Sequence, residues 1–246
     1  MKDAPNSDKK MLCTDLDGTF IGDDESMYEL LRMIDCKDFL LVFSTGRHLR
    51  SIMQFVREKG IRIADACICM VGTVVYFAQE GELILDNNWS RIISQDWDRE
   101  KMVQLMSDIK ELVWQDEEWQ TEFKSSYFLR ENQTEVINEI KQRIQKAKLK
   151  AKVIYSASQF LDFLPLKSGK SEAVKYVADN FGVSTDNVIV CGDSGNDLDM
   201  FMAGFKGVIV GNAHAELENF KGENAYHANG KYSTGIIEGL RHFNYI

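Results

Sequence analysis

Short apolar runs alternate with amphipathic stretches at both ends of this sequence, which predicts a doubly wound α/β fold: a parallel sheet with helices on both faces. Two observations carry that prediction. The runs Met11–Thr14, Leu40–Ser44, 66–71, 188–191 and 207–210 are continuously apolar, as strands buried on both faces require. Between them, 48–59 and Lys170–Phe181 are amphipathic, and in the second Ala173, Val174, Val177, Ala178 and Phe181 share one helical face. A chain of 246 residues suits one large domain, or one domain carrying a smaller insert.

The middle of the chain breaks the rhythm and points to the insert. From 88 to 163 the order reads helix, strand, helix, strands. Residues 99–113 set Met102, Val103, Met106, Ile109, Leu112 and Val113 at helical spacing, and 135–148 repeats the design with Val136, Ile137, Ile140 and Ile144. Between them 121–130 reads as a strand. Such stripes mark helices packed on a sheet rather than a cofactor site. A smaller α+β domain, 88–163, is therefore expected between two parts of one core, 1–87 and 164–246. Only Pro5 and Pro165 occur, and no Gly/Ser tract suggests a flexible linker.

Charge and cysteine usage narrow the function. The net charge of −9 repels nucleic-acid backbones and anionic lipid, so neither is an expected partner, whereas a small anion in a local pocket is compatible. The cysteines number five, with no Cys-x-x-Cys pair. Cys13, Cys67, Cys69 and Cys191 sit in strand-like runs and read as buried thiols of a reducing cytoplasm, not as zinc ligands or disulfides. Residues 1–10 are polar without the apolar region of a signal peptide, and no run approaches a membrane span. The sequons at Asn88 and Asn132 have no use in that compartment.

Four motifs carry chemistry. Asp15-Leu16-Asp17-Gly18-Thr19 follows a strand directly, where open α/β sheets bind ligands, and Gly18 permits a sharp turn. One carboxylate can attack phosphorus, the other handle the leaving group's proton, and both help hold a metal. Gly192-Asp193-Ser194-Gly195-Asn196-Asp197 also follows an apolar run; converging on the first loop, it would complete an oxygen-rich Mg2+ site. Ser44-Thr45-Gly46-Arg47 closes a strand and is expected to open a helix, a natural phosphate cradle. Lys170 opens another helix. Gly169-Lys170-Ser171 is no P-loop, because Leu164 stands where that pattern needs glycine. As the cation balancing Asp15, Asp193 and a phosphate dianion, Lys170 acquires a purpose.

In this order the motifs resemble the haloacid dehalogenase superfamily of phosphotransferases. Asp15 and Asp17 match its first motif, Thr45 its second, Lys170 its third, and Asp193 with Asp197 its fourth. The insert lies where the superfamily places its larger α+β cap, which narrows the likeness to Cof-type sugar phosphatases. Within these the chain is similar to sucrose-phosphate phosphatases over nearly its whole length. The likeness runs through Asn88 and Trp89 to Trp97, Phe123-Lys124-Ser125-Ser126-Tyr127, Asp162-Phe163-Leu164-Pro165, Val190 to Asp197, and Gly207 to Ala213. Gly18 departs from it, standing where sucrose-phosphate phosphatases carry Asn.

The resemblance implies a Rossmann-like core with a cap domain, and Mg2+-dependent hydrolysis of a sugar phosphate through an aspartyl phosphate on Asp15. Asp17 would be the acid and base. Asp15, Asp193 and the main-chain carbonyl of Asp17 would hold Mg2+, with Asp197 orienting the metal or Lys170. Thr45, Gly46, Lys170 and Asn196 would grip the phosphoryl group. Lys124 and Tyr127, on a cap strand, are the expected sugar contacts. Sucrose 6-phosphate is the first expected substrate, with mannosylfructose phosphate or a hexose phosphate as alternatives, and the enzyme is expected to be a monomer or weak homo-oligomer. A phosphomutase would use the same aspartate but carries, in this superfamily, a smaller helical cap placed earlier. A non-catalytic binding subunit would lack one of the acidic residues, and none is missing.

Overall fold

β1 (Met11–Thr14) runs through the middle of the sheet with every residue buried, the place its unbroken apolar run demands. The structure is a computed structural model describing residues 9–131 and 133–246. The polar start at 1–8 and Asn132 of the second sequon lie outside the described residues. After β1 come α1 (Asp24–Cys36), β2 (Leu40–Ser44), α2 (Leu49–Lys59), β3 (Ala66–Cys69), β4 (Val74–Gln79) and β5 (Glu82–Leu85). The middle of the chain supplies α3 (Asn87–Ile93), α4 (Arg99–Met106), β6 (Val113–Trp114), β7 (Ser125–Phe128), α5 (Thr134–Lys146), β8 (Ala151–Ser156) and β9 (Phe160–Pro165). It ends with α6 (Lys170–Phe181), β10 (Val188–Gly192), α7 (Leu198–Met202), β11 (Lys206–Ile209), α8 (Ala215–Glu218), β12 (Ala225–His227) and α9 (Tyr232–His242).

The large sheet has the order β12-β11-β10-β1-β2-β3-β4-β5. From β12 to β3 all neighbours are parallel, as expected, whereas β4 and β5 run antiparallel at one edge. That edge was not legible as strand continuation: the expected strand 66–71 stops at Cys69. Met70 and Val71 take positive φ (51° and 59°), and the chain doubles back into β4. Side chains alternate between two layers. Leu12, Leu41, Phe43, Ile189 and Cys191 pack under α1, α2 and α9, while Met11, Cys13, Val42, Val188 and Val190 pack under α6 and α7. The strand order reverses direction between β1 and β10, so the loops after β1, β2, β10 and β11 meet at the sheet's carboxyl edge.

A second, four-stranded antiparallel sheet, β6-β7-β9-β8, is backed by α4 and α5 through Met102, Met106, Ile140, Ile144, Leu161 and Phe163. The expected division at 88 falls inside α3, whose Trp89 and Ile93 pack with the large sheet, and the division at 163/164 falls inside β9. The expected helix 99–113 ends at Met106, since Val113 and Trp114 are taken up as the edge strand beside β7. Cys13, Cys67, Cys69 and Cys191 are buried thiols. Among the described residues no helix is long and apolar enough to cross a membrane.

Gly72 sits where the β3–β4 turn presses on the start of α6. Its φ is +84°, and a Cβ there would lie 2.2 Å from the Gly169 carbonyl carbon. Both partners are backbone, so nothing flexible can yield. Gly72→Ala is expected to lower stability by roughly 3 kcal/mol, combining left-handed strain with overpacking. Urea unfolding followed by circular dichroism would show it as a lower midpoint at unchanged slope.

Candidate active site

Asp15 extends β1 by one residue, its N–H donating to the Cys191 carbonyl of β10 at 3.0 Å. This ladder bond fixes its carboxylate at the switch point. Lys170, the first residue of α6, reaches under the loop from the other layer. Its ammonium is wholly buried and donates to Asp15 Oδ1 at 2.8 Å and Asp197 Oδ1 at 2.6 Å. The other Asp197 oxygen accepts the main-chain N–H groups of Asp193 (3.1 Å) and Ser194 (3.2 Å). Asp197 thereby fixes both the lysine and the loop that carries Asp193.

Electrostatically the cluster is unbalanced. Burial pushes the Asp15 carboxyl up, Lys170 pulls it back in part, and Asp197 adds to the rise. Asp193 is raised by burial first, then by Asp197 and Asp15. Burial alone would lower the Lys170 ammonium, but Asp15 and Asp197 outweigh it and hold it above its ordinary value.

The loop after β2 carries Thr45, Gly46 and Arg47. The expected helix start there is corrected: α2 begins at Leu49 with His48 as its N-cap, so Thr45 and Gly46 belong to an extended turn. Two hydrogen bonds shape that turn, Val71 N–H to the Thr45 carbonyl at 3.0 Å and Met70 N–H to the Arg47 carbonyl at 3.1 Å. The left-handed pair Met70–Val71 thus presents two adjacent donors to this loop. Arg47 grips Asp17 with both edges of its fork, Nε to Oδ2 at 2.7 Å and Nη2 to Oδ1. The Asp17 side chain is 59% exposed and stands apart from the buried carboxylates. Gly18 is equally constrained: φ is +78°, and a Cβ would meet Asp193 Oδ2 at 2.2 Å.

The small sheet roofs this loop cluster. Between them lies a cleft of about 640 Å³, lined on the core by Asp15, Asp17, Thr45, Gly46, Asp193 and Asn196. From the cap come Gln115, Trp119, Lys124, Phe128, Phe160 and Asp162. Lys124 and Asp162 form a buried pair at 3.3 Å, and the Ser126 hydroxyl lies 2.6 Å from the same Asp162 oxygen.

Tyr127 is the site residue the structure overturns. It is 6% exposed and packs edge-on against Trp114 and Phe163 in the cap's own core. Strand side chains alternate between faces, so Lys124 and Phe128 reach the cleft while Tyr127 points away.

Residues 8–244 match the family described as sucrose-6F-phosphate phosphohydrolase. The chain belongs to this family. It is 30% identical to the mannosylfructose-phosphate phosphatase of Agrobacterium fabrum over 95% of this chain and 96% of that protein. It is also 30% identical to sucrose-phosphatase 1 of Nicotiana tabacum, but spans only 61% of that longer protein. The crystal structure of the Synechocystis sp. PCC6803 sucrose-phosphatase in complex with sucrose and phosphate matches with a TM-score of 0.90 at 28% identity, over 97% of this chain and 99% of that one. The fold is that of the haloacid dehalogenase superfamily, and the protein is a phosphatase, a phosphoric monoester hydrolase.

In this phosphatase Asp15, Asp193 and Asp197 bring carboxylate oxygens within 4.8 Å of one another, a group able to hold a metal ion. The residues fit a hard divalent cation on two grounds. Three buried carboxylates face a single buried ammonium, and the buried Asn196 Oδ1 finds no hydrogen-bond partner among the described residues. Asp197 already gives one oxygen to Lys170 and the other to the loop, so Asp15 and Asp193 could hold an ion with less competition.

Sequence reasoning assigned no role to Arg47, Trp119, Gln115 or Asp162. Arg47 carried a signal, as the cation following Thr45-Gly46, and Asp162 lay in a segment of the resemblance; Gln115 and Asp162 reach the site by pairing with β7, and Trp119 by the turn that precedes it. Lys170→Met would leave Asp15 and Asp197 uncompensated. It is expected to lower kcat/KM for any phosphomonoester by at least about 10²-fold and stability at neutral pH by about 3 kcal/mol. Steady-state assays and urea titration measure the two losses.

Proposed function

We propose that this phosphatase hydrolyses a disaccharide phosphate, sucrose 6-phosphate first, in a Mg2+-dependent reaction through an aspartyl phosphate on Asp15. One observation carries the reading: Asp15, tied to the buried Lys170–Asp197 pair, faces across a cleft a cap wall of Lys124, Asp162, Gln115 and aromatic rings. The first half suits a phosphoryl group. The second, polar groups between aromatic surfaces, suits a sugar of more than one ring. The relative of matching length from Agrobacterium fabrum supports mannosylfructose phosphate as a second reading.

In the proposed reaction an Asp15 carboxylate oxygen attacks phosphorus in line. Its bond to phosphorus forms as the bond to the sugar oxygen breaks. Lys170 holds Asp15 in line and offers charge to the phosphoryl oxygens, while Thr45, Gly46 and Asn196 cradle them. Asp17 gives its proton to the departing sugar oxygen, then takes one from the water that cleaves the aspartyl phosphate and frees Asp15. Arg47 holds both Asp17 oxygens, so the carboxylate must swing away from Arg47 to reach the departing sugar oxygen. Asp15, Asp193 and the Asp17 carbonyl would hold Mg2+, which supplies charge neutralisation for the phosphoryl oxygens. We place the cap, by the same proposal, between the end of α3 and the end of β9, which keeps both elements whole.

Asp15→Asn should remove at least about 10³-fold of the turnover while circular dichroism shows the fold retained; a variant within about tenfold of wild type would refute the covalent route. Chelation with EDTA should abolish activity and Mg2+ restore it, whereas Ca2+ should inhibit, its looser coordination misaligning the carboxylates. Full activity in chelator would remove the metal from the proposal.

The substrate is tested by comparing kcat/KM for sucrose 6-phosphate with glucose 6-phosphate and fructose 6-phosphate. The disaccharide should win by about tenfold or more, because buried polar groups penalise a ligand that leaves them unpaired. Lys124→Ala should raise KM for the disaccharide phosphate several-fold more than for 4-nitrophenyl phosphate. Equal losses would mean that Lys124 only supports the cap, and a monosaccharide preference would return the enzyme to the hexose phosphates.

A further inference from the structure

We infer that His48 is a positioning residue for sugar selection: from the core it holds the Trp119 wall of the cap pocket, resting on the reading above that this pocket takes the sugar. His48 directly follows Thr45, Gly46 and Arg47, and caps α2, its Nδ1 accepting the Ser51 N–H at 3.2 Å. With Nδ1 used as an acceptor, the neutral ring carries its proton on Nε2. That nitrogen lies 3.8 Å from Glu118 Oε2, and the ring packs on the Trp119 indole with centroids 5.9 Å apart at 41°.

Glu118 and Trp119 belong to a short helical turn, Glu117–Trp119, between β6 and β7. None of its residues is buried, so no core of its own fixes it. Gln120 ties the end of the turn to β7, donating to the Ser126 carbonyl at 2.9 Å and accepting the Ser126 N–H at 2.8 Å. Towards the core, the turn meets the ring and Nε2 of His48. Trp119 lines the cleft, and its carbonyl lies within reach of the Ser126 hydroxyl (3.2 Å), which also meets Asp162, the partner of Lys124. A single path of contacts thus runs from the N-cap of α2 to the buried charge pair of the sugar pocket.

The position of His48 gives the path its meaning. The segment 45–48 meets three parts of the site in four consecutive residues: the phosphate cradle at Thr45 and Gly46, Asp17 through Arg47, and the cap through His48. On the opposite wall the β8–β9 turn is anchored separately, Ser158 N–H donating to Glu216 at 3.1 Å. Removing the His48 ring therefore loosens the sugar wall and leaves the other wall fastened.

Two substitutions separate the roles of this side chain. His48→Asn keeps a good N-cap but removes the ring, whereas His48→Phe keeps a ring and removes the cap acceptor. Each is assayed on sucrose 6-phosphate and 4-nitrophenyl phosphate, with amide hydrogen exchange on the ligand-free proteins. His48→Asn should raise KM for sucrose 6-phosphate by roughly three- to tenfold, the worth of one aromatic contact. Its kcat, and its kinetics on 4-nitrophenyl phosphate, should stay within about twofold of wild type. Exchange should quicken at 117–120 but not along α2. His48→Phe should recover most of the KM while exchange rises in the first turn of α2. A wild-type KM in His48→Asn, equal losses on both substrates, or no recovery in His48→Phe would each overturn the inference. Failure of the sugar reading itself shows differently, as a wild-type enzyme without preference for sucrose 6-phosphate; selection by His48 would then fall with it, and exchange would still decide whether His48 holds the turn.

Discussion

An ammonium group with no access to water, hydrogen-bonded to two carboxylates, is the constraint around which the core of this protein is arranged. Desolvating Lys170 and its partners is expensive, and only close, complete pairing offsets it. The surrounding backbone is shaped accordingly. Asp197 is held by two main-chain N–H groups, and Gly192 leaves room for it, since a Cβ there would lie 2.5 Å from the Asp197 side chain. Even so the charges do not cancel, because Asp193 stands in the same buried cluster. A phosphate dianion alone would worsen the imbalance, which is why the donor set calls for a divalent cation.

In the proposed reaction, selectivity would be assembled from a different part of the chain. Little of a sugar can be sensed by loops crowded around phosphorus, so the cap sheet supplies the other wall of the cleft. Its charge pair, Lys124–Asp162, joins residues 38 apart in sequence. That pairing exists only because β7 and β9 align Ser126 with Asp162 and Ser125 with Phe163. The same register turns Lys124 and Phe128 to the cleft and Tyr127 to the cap core. Burial raises the Tyr127 hydroxyl to about 12, as an apolar setting would.

The half of the candidate site built on the large sheet was legible as a cluster because its signals are local. The Asp15, Thr45 and Asp193 motifs each follow an apolar run, and chain direction alone puts such positions at one edge of a parallel sheet. Lys170 was recognisable by type and order, although its complete burial was not. The cap was legible as a pattern and not as a surface. Lys124 and Tyr127 differ by an odd number of positions, so alternation already forbade them a common face; Asp162 lay in a segment of the resemblance without a role, and Trp119 carried no local mark. The β3–β4 turn escaped for another reason: left-handed Val71 contradicts the preference of a β-branched residue, and only its bond to the Thr45 carbonyl explains the conformation.

The central place of β1 also bears on how the protein is made. One of its edges pairs with β2, which emerges from the ribosome soon afterwards; the other waits for β10, and Asp15 waits for a lysine 155 residues downstream. At synthesis rates of roughly 5–20 residues per second the delay from Asp15 to Lys170 is on the order of 8–30 s. During that time an apolar strand shows an unpaired hydrogen-bonding edge, the template for unwanted association. The cap, encoded between the two halves and carrying its own apolar core, is synthesised within that interval. Nascent-chain yield should therefore depend on how quickly those intervening residues collapse, even where the mature enzyme's stability does not.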